Sequence, residues 1–221
     1  MSWSSGKDSA LALATARASG AEVVRLLVTF NEVADRVAMH AVRRDLVAAQ
    51  ADRLGIPVFA VDLPSPCSNA DYESRMADAL AAAHDDGVDE VVFGDLFLSD
   101  VRAYREAAMA GTGLLPRFPL WGRPTHDLAR EMVDVGVHAV VTCVDPRQLD
   151  ASFVGRSFDG DFLDALPSSV DPCGEHGEFH TFVWDAPGFS APIDVEVGEV
   201  VERDGFVFAD VLPARVTDQP V

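Results

Sequence analysis

Lysine is almost missing from this sequence. Lys7 is the single lysine in 221 residues, and the other sixteen basic residues are arginine. Cysteine is scarce and odd in number: Cys67, Cys143 and Cys173 stand far apart, which fits a reducing cytoplasm better than a disulfide framework. No apolar run reaches the roughly 20 residues of a membrane helix, and no signal peptide precedes the first motif. A soluble cytoplasmic protein without membrane contact is therefore expected. Positive charge is also in short supply, with 36 acidic against 17 basic residues and a formal charge of −19. Binding a phosphate backbone depends largely on Lys and Arg, so nucleic acid is disfavoured as a partner. The acidity itself reads as solubility, or as adaptation of the host to salt.

What the chain does have is a regular alternation of helix and strand. At 221 residues the chain is long enough for one large domain or a domain with a substantial appendage, and a hydrophobic content of 48% gives it a real core. "KDSALALATARASG" has helical apolar spacing with Gly20 as its stop, and "VVRLLVTF" (23–30) reads as a buried strand. A helix over 40–55 ends at Gly55, and the strand "IPVFAVDL" (56–63) follows. A third helix spans 69–87 with Asn69 or Asp71 as cap, then a strand over 88–95. This pattern predicts an α/β fold with a parallel sheet covered on both faces. The second half is less regular: helices in "SDVRAYREAAMAG" and "THDLAREMVDVG", the latter with Thr125 as N-cap and Gly136 as stop, then a buried strand over 138–144. Gly, Pro and Asp become frequent after about residue 150, and a hairpin is expected to turn at Asp204-Gly205. One feature is odd: only Met1, Ser2 and Trp3 precede the first loop, where a full strand is normal. Either the first strand is a stub or the recorded start lies downstream of the true one; the second is the expectation.

The opening stretch "SWSSGKDSALAL" (2–13) carries the sharpest signal. Small residues running into a helix N-terminus make an anion site, because first-turn N–H groups have no helical partner and the helix dipole favours negative charge there. Ser4, Ser5 and Ser9 add hydroxyls, and Gly6 lets the backbone approach a phosphate closely. Lys7 would supply a mobile ammonium. A sequence that uses arginine everywhere else keeps lysine here, where a compact point charge suits a tight phosphate loop better than a planar fork. The stretch is not the Walker loop, which needs two glycines four residues apart before Gly-Lys-Ser/Thr.

Further along, Gly94 and Asp95 fall just past a predicted strand. Ligands of open parallel sheets bind at the carboxyl ends of the strands, so Asp95 should face the same crevice as the loop, holding Mg²⁺ or orienting substrate; the alternative is a turn residue capping the next helix. Arg102, Arg105 and Glu106 follow on a helix, with Arg102 and Glu106 at i,i+4 spacing, the spacing also of a plain surface ion pair. "DPCGEHGEFHTF" (171–182) packs Asp171, Glu175, His176, Glu178 and His180 beside Gly174 and Gly177. Glu178 and His180 have strand spacing and should share a face. Cys173, Glu175, His176 and His180 are possible metal ligands, although their spacing matches no common zinc pattern.

These residues carry a resemblance. The loop "SWSSGKDSALAL" resembles the pyrophosphate-loop motif, usually Ser-Gly-Gly-x-Asp-Ser, of ATP-pyrophosphatases. More narrowly, "MHAVRRDLVAAQADRLGIPVFAVDLP", "VVFGDLFLSDVRAYRE", "FPLWG" and "DPCGEHGEFHTFV" make the chain similar to the diphthine–ammonia ligase family from residue 2 to about 193. The resemblance implies a Rossmann-like, doubly wound adenine-nucleotide fold, with an ATP-binding domain over 1–95 and a smaller α+β substrate region over 96–221. It implies adenylation of a carboxylate, ATP going to AMP and pyrophosphate, followed by attack of ammonia to form an amide. ATP would be held by Ser4, Ser5, Gly6, Lys7, Asp8, Ser9 and His40, though His40 suits a capping or buried role equally well. Mg²⁺ would be held by Asp8 and Asp95. Lys7, Asp95, Glu175, Glu178 and His180 are the expected catalytic residues, with His180 as a base of near-neutral pKa. Gly94, Arg102, Arg105, Glu106 and Gly174 are expected on the substrate side. Ser5 stands where the motif usually has its first glycine, and Ala107–Ala110 contain no cysteine where eukaryotic and archaeal members carry one. A homodimer is left open, and so are two rival functions: a tRNA-thiolating enzyme, and a non-catalytic nucleotide-binding or regulatory module.

Overall fold

The computed structural model describes residues 1–37 and 40–214; Met39 of the family-like stretch lies outside them. In chain order the elements are α1 (Lys7–Ala18), β1 (Leu26–Asn31), β2 (Arg36–Val37), α2 (Arg44–Leu54), β3 (Val58–Leu63), α3 (Asn69–Asp85), β4 (Glu90–Val92), α4 (Ser99–Met109) and β5 (Leu115–Arg117). The second half adds α5 (Thr125–Asp134), β6 (His138–Val144), β7 (Ser157–Phe158), α6 (Gly160–Ala165), β8 (Phe179–Asp185), β9 (Val195–Arg203) and β10 (Phe206–Pro213).

β1 and β3 run parallel, in register from Leu26 opposite Val58 to Asn31 opposite Leu63. On the other side of β1 lie residues 1–3. Trp3 N–H donates to the Leu27 carbonyl, Leu27 N–H to the Met1 carbonyl, and Ser2 N–H to the Val92 carbonyl, each at 2.8 Å. β4 in turn pairs in parallel with β5. The order across these strands is thus β3, β1, residues 1–3, β4, β5, and the short central stretch is where the succession of strands changes direction. The chain leaves that stretch into the loop and α1.

The second half forms an antiparallel sheet in which β6 pairs with β7, β8 and β10, and β10 with β9. The hairpin turns at Asp204-Gly205 as expected; their φ values of 53° and 80° give the twist a two-residue hairpin requires. One continuous core unites both halves, from Leu13, Leu26 and Leu46 to Leu128, Val141 and Phe182. Among the described residues, no helix is long and apolar enough to cross a membrane.

Several boundaries differ from the sequence expectation. The three parallel strands start later, at Leu26, Val58 and Glu90. α2 begins at Arg44 rather than His40, because Ala41 takes φ 55° and the preceding turn is drawn onto β10, where Arg36 and Arg43 both donate to the Asp210 carboxylate. α3 is capped by Ser68, not by Asn69 or Asp71; Asp71 is the other half of a capping box. Thr125 is the first residue of α5 after Pro124 as N-cap, and its hydroxyl donates instead to Asp171 Oδ2 at 2.6 Å.

Candidate active site

The loop from Ser4 to Gly6 is shaped by two backbone demands. Ser5 has φ 68°, in the left-handed region that favours glycine, which explains why the resembled motif usually has glycine at this position. Its hydroxyl is buried without a partner among the described residues. Its carbonyl accepts from Val183 N–H at 3.0 Å and from Gln50 Nε2 at 3.1 Å. At Gly6 a β-carbon would come within 3.2 Å of the Thr181 carbonyl and 3.3 Å of His40 Cε1, so the loop runs directly against β8. The serines complete it: Ser4 Oγ accepts from Gly6 N–H at 3.3 Å and donates to Ser9 Oγ at 3.2 Å, which donates to the Gly6 carbonyl at 2.8 Å.

Lys7 opens α1, but its ammonium is not mobile. Its exposure is 2%. Nζ donates to Asp8 Oδ2 at 2.9 Å, to Asp8 Oδ1 at 3.1 Å and to the Cys173 carbonyl, and lies 5.1 Å from the Phe179 ring centre and 5.5 Å from that of Phe158. Burial is the largest influence and pulls the Lys7 pKa down; Asp8, with lesser contributions from Cys173 and Glu175, outweighs it and raises the pKa overall. The charge is therefore retained in a nearly dry setting, where it acts more strongly than in water.

In front of this turn lies a cleft of about 280 Å³, bounded by Lys7, Asp8, His40, Asp95, Glu175 and His180. Gly94 brings the end of β4 into contact with α1: a β-carbon there would sit 3.1 Å from the Asp8 carbonyl carbon and the Ser9 nitrogen. Asp95 is raised above the ordinary carboxylate pKa by burial, which outweighs the nearby Arg105. Arg105 Nε stands 3.6 Å from Asp95 Oδ2, too far for a good hydrogen bond, and both atoms are buried without partners among the described residues. They are left available to a ligand. Glu175 Oε1 accepts from Leu96 N–H at 2.9 Å, yet burial pushes its pKa up to about 7. A larger cavity, about 430 Å³, lies at the amino ends of β1 and β4 against mostly apolar side chains such as Val23, Leu27 and Leu80. Ligands of open sheets bind at the carboxyl ends, which favours the smaller, charged cleft.

His180 corrects the expectation of a near-neutral base. Its ring lies 4.6 Å, centre to centre, from that of His40. Burial, with Lys7 adding to it, presses His180 down to about 4; burial and then His180 press His40 to about 3. Both imidazoles are neutral at pH 7, and of the shifted groups lining the cleft it is Glu175 that titrates near neutrality.

Glu178, Arg102 and Glu106 are placed away from the cleft, whereas Gly174 is at its edge. Glu178 precedes β8 and does not share the face of His180. It is 2% exposed, and its carboxylate accepts from the N–H groups of Asp171 and His176, each at 2.9 Å, so it shapes the loop. Arg102 pairs with Glu106 at 2.7 Å on an exposed helix face and stacks over Phe118 and Trp121, the surface ion pair rather than a cleft residue. Gly174 borders the cleft at φ 70°, where a β-carbon would meet the Phe179 carbonyl at 2.8 Å. Among the described residues, no three His, Cys, Asp or Glu side chains converge as a metal cage, and Cys173 Sγ donates to the Thr125 carbonyl at 3.4 Å.

Sequence reasoning did not single out Thr181, whose hydroxyl accepts Lys7 N–H at 3.2 Å, or Gln50, fully buried beneath the loop. Only Gln50 left a signal, as one amide on the apolar face of a helix. Asp171 is a scaffold for this loop: its Oδ1 accepts from Cys173 N–H at 2.9 Å and its Oδ2 from the Thr125 hydroxyl.

Known proteins match along most of the chain. The family model described as the diphthamide synthase N-terminal domain matches residues 1–115, and that described as the diphthamide synthase C-terminal domain matches 124–210. The diphthine–ammonia ligase of Bos taurus is 27% identical over 235 aligned positions, covering 96% of this chain and 88% of its own length. That of Homo sapiens is 35% identical over 124 positions, 53% of this chain and 46% of its own. That of Schizosaccharomyces pombe is 27% identical over 239 positions, 98% of this chain and 39% of its own. The chain thus spans less than half the length of the human and fission-yeast relatives. With both models matched in order around the loop, the cleft and the Glu175–His180 segment, this chain belongs to the diphthamide synthase family.

Proposed function

We propose that the chain is an ATP-dependent ligase that adenylates a carboxylate, releasing pyrophosphate, and passes the acyl group to ammonia to form an amide. The observation that carries this reading is the meeting of the α1 first turn and the buried Lys7 ammonium with Asp95 and Glu175 across one cleft. First-turn N–H groups and Lys7 would hold the phosphates and stabilise charge as pyrophosphate departs. The strand order 3-2-1-4-5, counted with residues 1–3 as the first strand, supports a Rossmann-like pyrophosphate-loop fold with the nucleotide at the change of direction. We place the ATP-binding unit over 1–95 and the substrate side over 96–221.

Asp8 and Asp95 fit Mg²⁺, which commonly takes one or two carboxylates together with substrate phosphates; Asp95 Oδ2 is buried without a hydrogen-bond partner among the described residues. The ion would supply charge neutralisation at the phosphate oxygens. Arg105 Nε, 3.6 Å from Asp95 Oδ2 and likewise without a hydrogen-bond partner among the described residues, suits the acid to be activated. Glu175, titrating at about 7, suits removal of a proton from ammonium, a role the low pKa of His180 does not fit. His40 and His180 then serve as neutral walls beside the loop. A thiolating enzyme is less well supported: the described cysteines are unpaired, with Cys143 and Cys173 buried and Cys143 pushed up to about 12 by burial.

The relatives named above are called diphthine–ammonia ligases, so a diphthine-like carboxylate heads the candidate substrates, small or protein-borne. The direct experiment is a screen of purified protein for AMP release from ATP across carboxylic acids, with and without ammonium. Acid-dependent AMP with amide formation supports the reading; no AMP with any acid rejects it.

A further inference from the structure

Gln50 is an amide where the fold asks for an apolar side chain. It shares its buried helix face with Leu46, Val47, Ala51 and Leu54, and its own exposure is 0%. Its hydrogen bonds all go to partners distant in sequence. Oε1 accepts from Trp3 Nε1 at 2.8 Å. Nε2 donates to the Ser5 carbonyl at 3.1 Å and to the Val183 carbonyl at 2.6 Å. Val183 N–H donates to the same Ser5 carbonyl at 3.0 Å, so the loop and β8 are tied twice at one point.

That point governs the cleft. Ser5 holds a left-handed backbone conformation, which a residue other than glycine keeps only when its surroundings fix it. Two residues before Val183, Thr181 accepts Lys7 N–H and crowds Gly6, and His180 beside it faces the cleft. Gln50 and Ser5 belong to the stretch matched by the N-terminal family model, and Val183 to that matched by the C-terminal one. Packing alone does not call for an amide, since an unbranched apolar side chain would fill the same space. What the amide adds is a fixed separation between the Ser5 and Val183 carbonyls, and with it the distance from the phosphate loop to the far wall of the cleft.

We propose that Gln50 is a positioning residue for adenylation, setting the phosphate loop against β8 so that the loop and the Thr181–His180 wall act on one bound nucleotide. This rests on the cleft being the ATP site. In enzymes generally, a misplacement of about 1 Å that originates far from the chemistry can cost about 10²-fold in rate.

Gln50→Met keeps length and volume and removes both donors. At a temperature where circular dichroism shows the variant folded, kcat for AMP formation should fall about 10- to 100-fold. KM for ATP should change by less than about threefold, since nucleotide contacts remain. A purely structural role would lower Tm and leave kcat of the folded protein unchanged, and that result overturns the proposal. So does a raised KM with kcat intact. Gln50→Asn keeps the amide but withdraws it by one methylene, and carries the same reading if the Met variant does not fold. Should the wild type form no AMP with any acid, the ATP reading fails and takes this proposal with it. Should the wild type be active and both variants match it, only the role of Gln50 fails.

Discussion

His40 and His180 face each other with ring centres 4.6 Å apart, one from the turn before α2 and the other from β8, and burial keeps both rings neutral. Unfolding returns each to about 6.5, from about 3 for His40 and about 4 for His180. In the window between about pH 4 and 6.5 the unfolded chain therefore binds more protons at these rings, so their contribution to stability is present above 6.5 and lost on acidification. Glu175 acts oppositely: its folded pKa of about 7 against 4.5 makes stability fall as pH rises from 4.5 to 7.

Two rings outweigh one carboxyl. From these three groups stability should rise by roughly 1 kcal/mol per pH unit around pH 5.5. Urea unfolding at pH 5 and 6 checks the slope. In the double variant His40→Gln, His180→Gln the slope should shrink or change sign; an unchanged slope would mean the rings are not held neutral.

The two glutamates of the GEHGE segment should separate cleanly. Glu175→Gln removes a group that titrates in the cleft, so amide formation should drop by about 10²-fold or more and the rise of rate with pH through 7 should flatten. Glu178→Gln weakens charge-assisted bonds to two backbone N–H groups, worth about 1–3 kcal/mol. Its Tm should fall while the pH profile keeps its shape. Equal pH profiles for the two variants would contradict this assignment.

Ser5→Gly relieves a left-handed serine and removes a buried hydroxyl that has no partner among the described residues. The relief, about 1 kcal/mol, should raise Tm or leave it unchanged, with activity kept. Gly94→Ala pushes a methyl group against the first turn of α1, 3.1 Å from Asp8 and Ser9 backbone atoms. It should lower Tm and cut activity, because the turn that holds phosphate has to move. A Gly94→Ala variant with undiminished Tm and AMP formation would refute the tight contact.

Much of this was legible in the residues alone. Helix spacing placed α1, α3 and α5 to within a few positions, and the strand preceding Gly94-Asp95 put that carboxylate beside the loop. Asp204-Gly205 marked the hairpin because both residues tolerate positive φ. What was not legible depends on partners far apart in the chain. Lys7 meets Thr181 across 174 residues, and Gln50 meets Val183 across 133. The pKa of His180 follows from burial against α1, which no local pattern announces. Glu178 was expected beside His180 from a two-residue strand period, but β8 starts only at Phe179, so the period did not apply.

If the cleft is the ATP site, the α1 first turn and the buried ammonium of Lys7 hold the nucleotide phosphates. Calorimetric titration of the folded protein with ATP and Mg²⁺, alongside Lys7→Ala and Lys7→Arg, measures that grip. Saturable one-site binding is predicted for the wild type, weakened about tenfold or more in Lys7→Ala. Lys7→Arg should not restore it, since a planar fork does not fit the slot between Phe158 and Phe179. No heat from a folded wild type, or equal affinity in a folded Lys7→Ala variant, would mean that this turn does not hold the nucleotide.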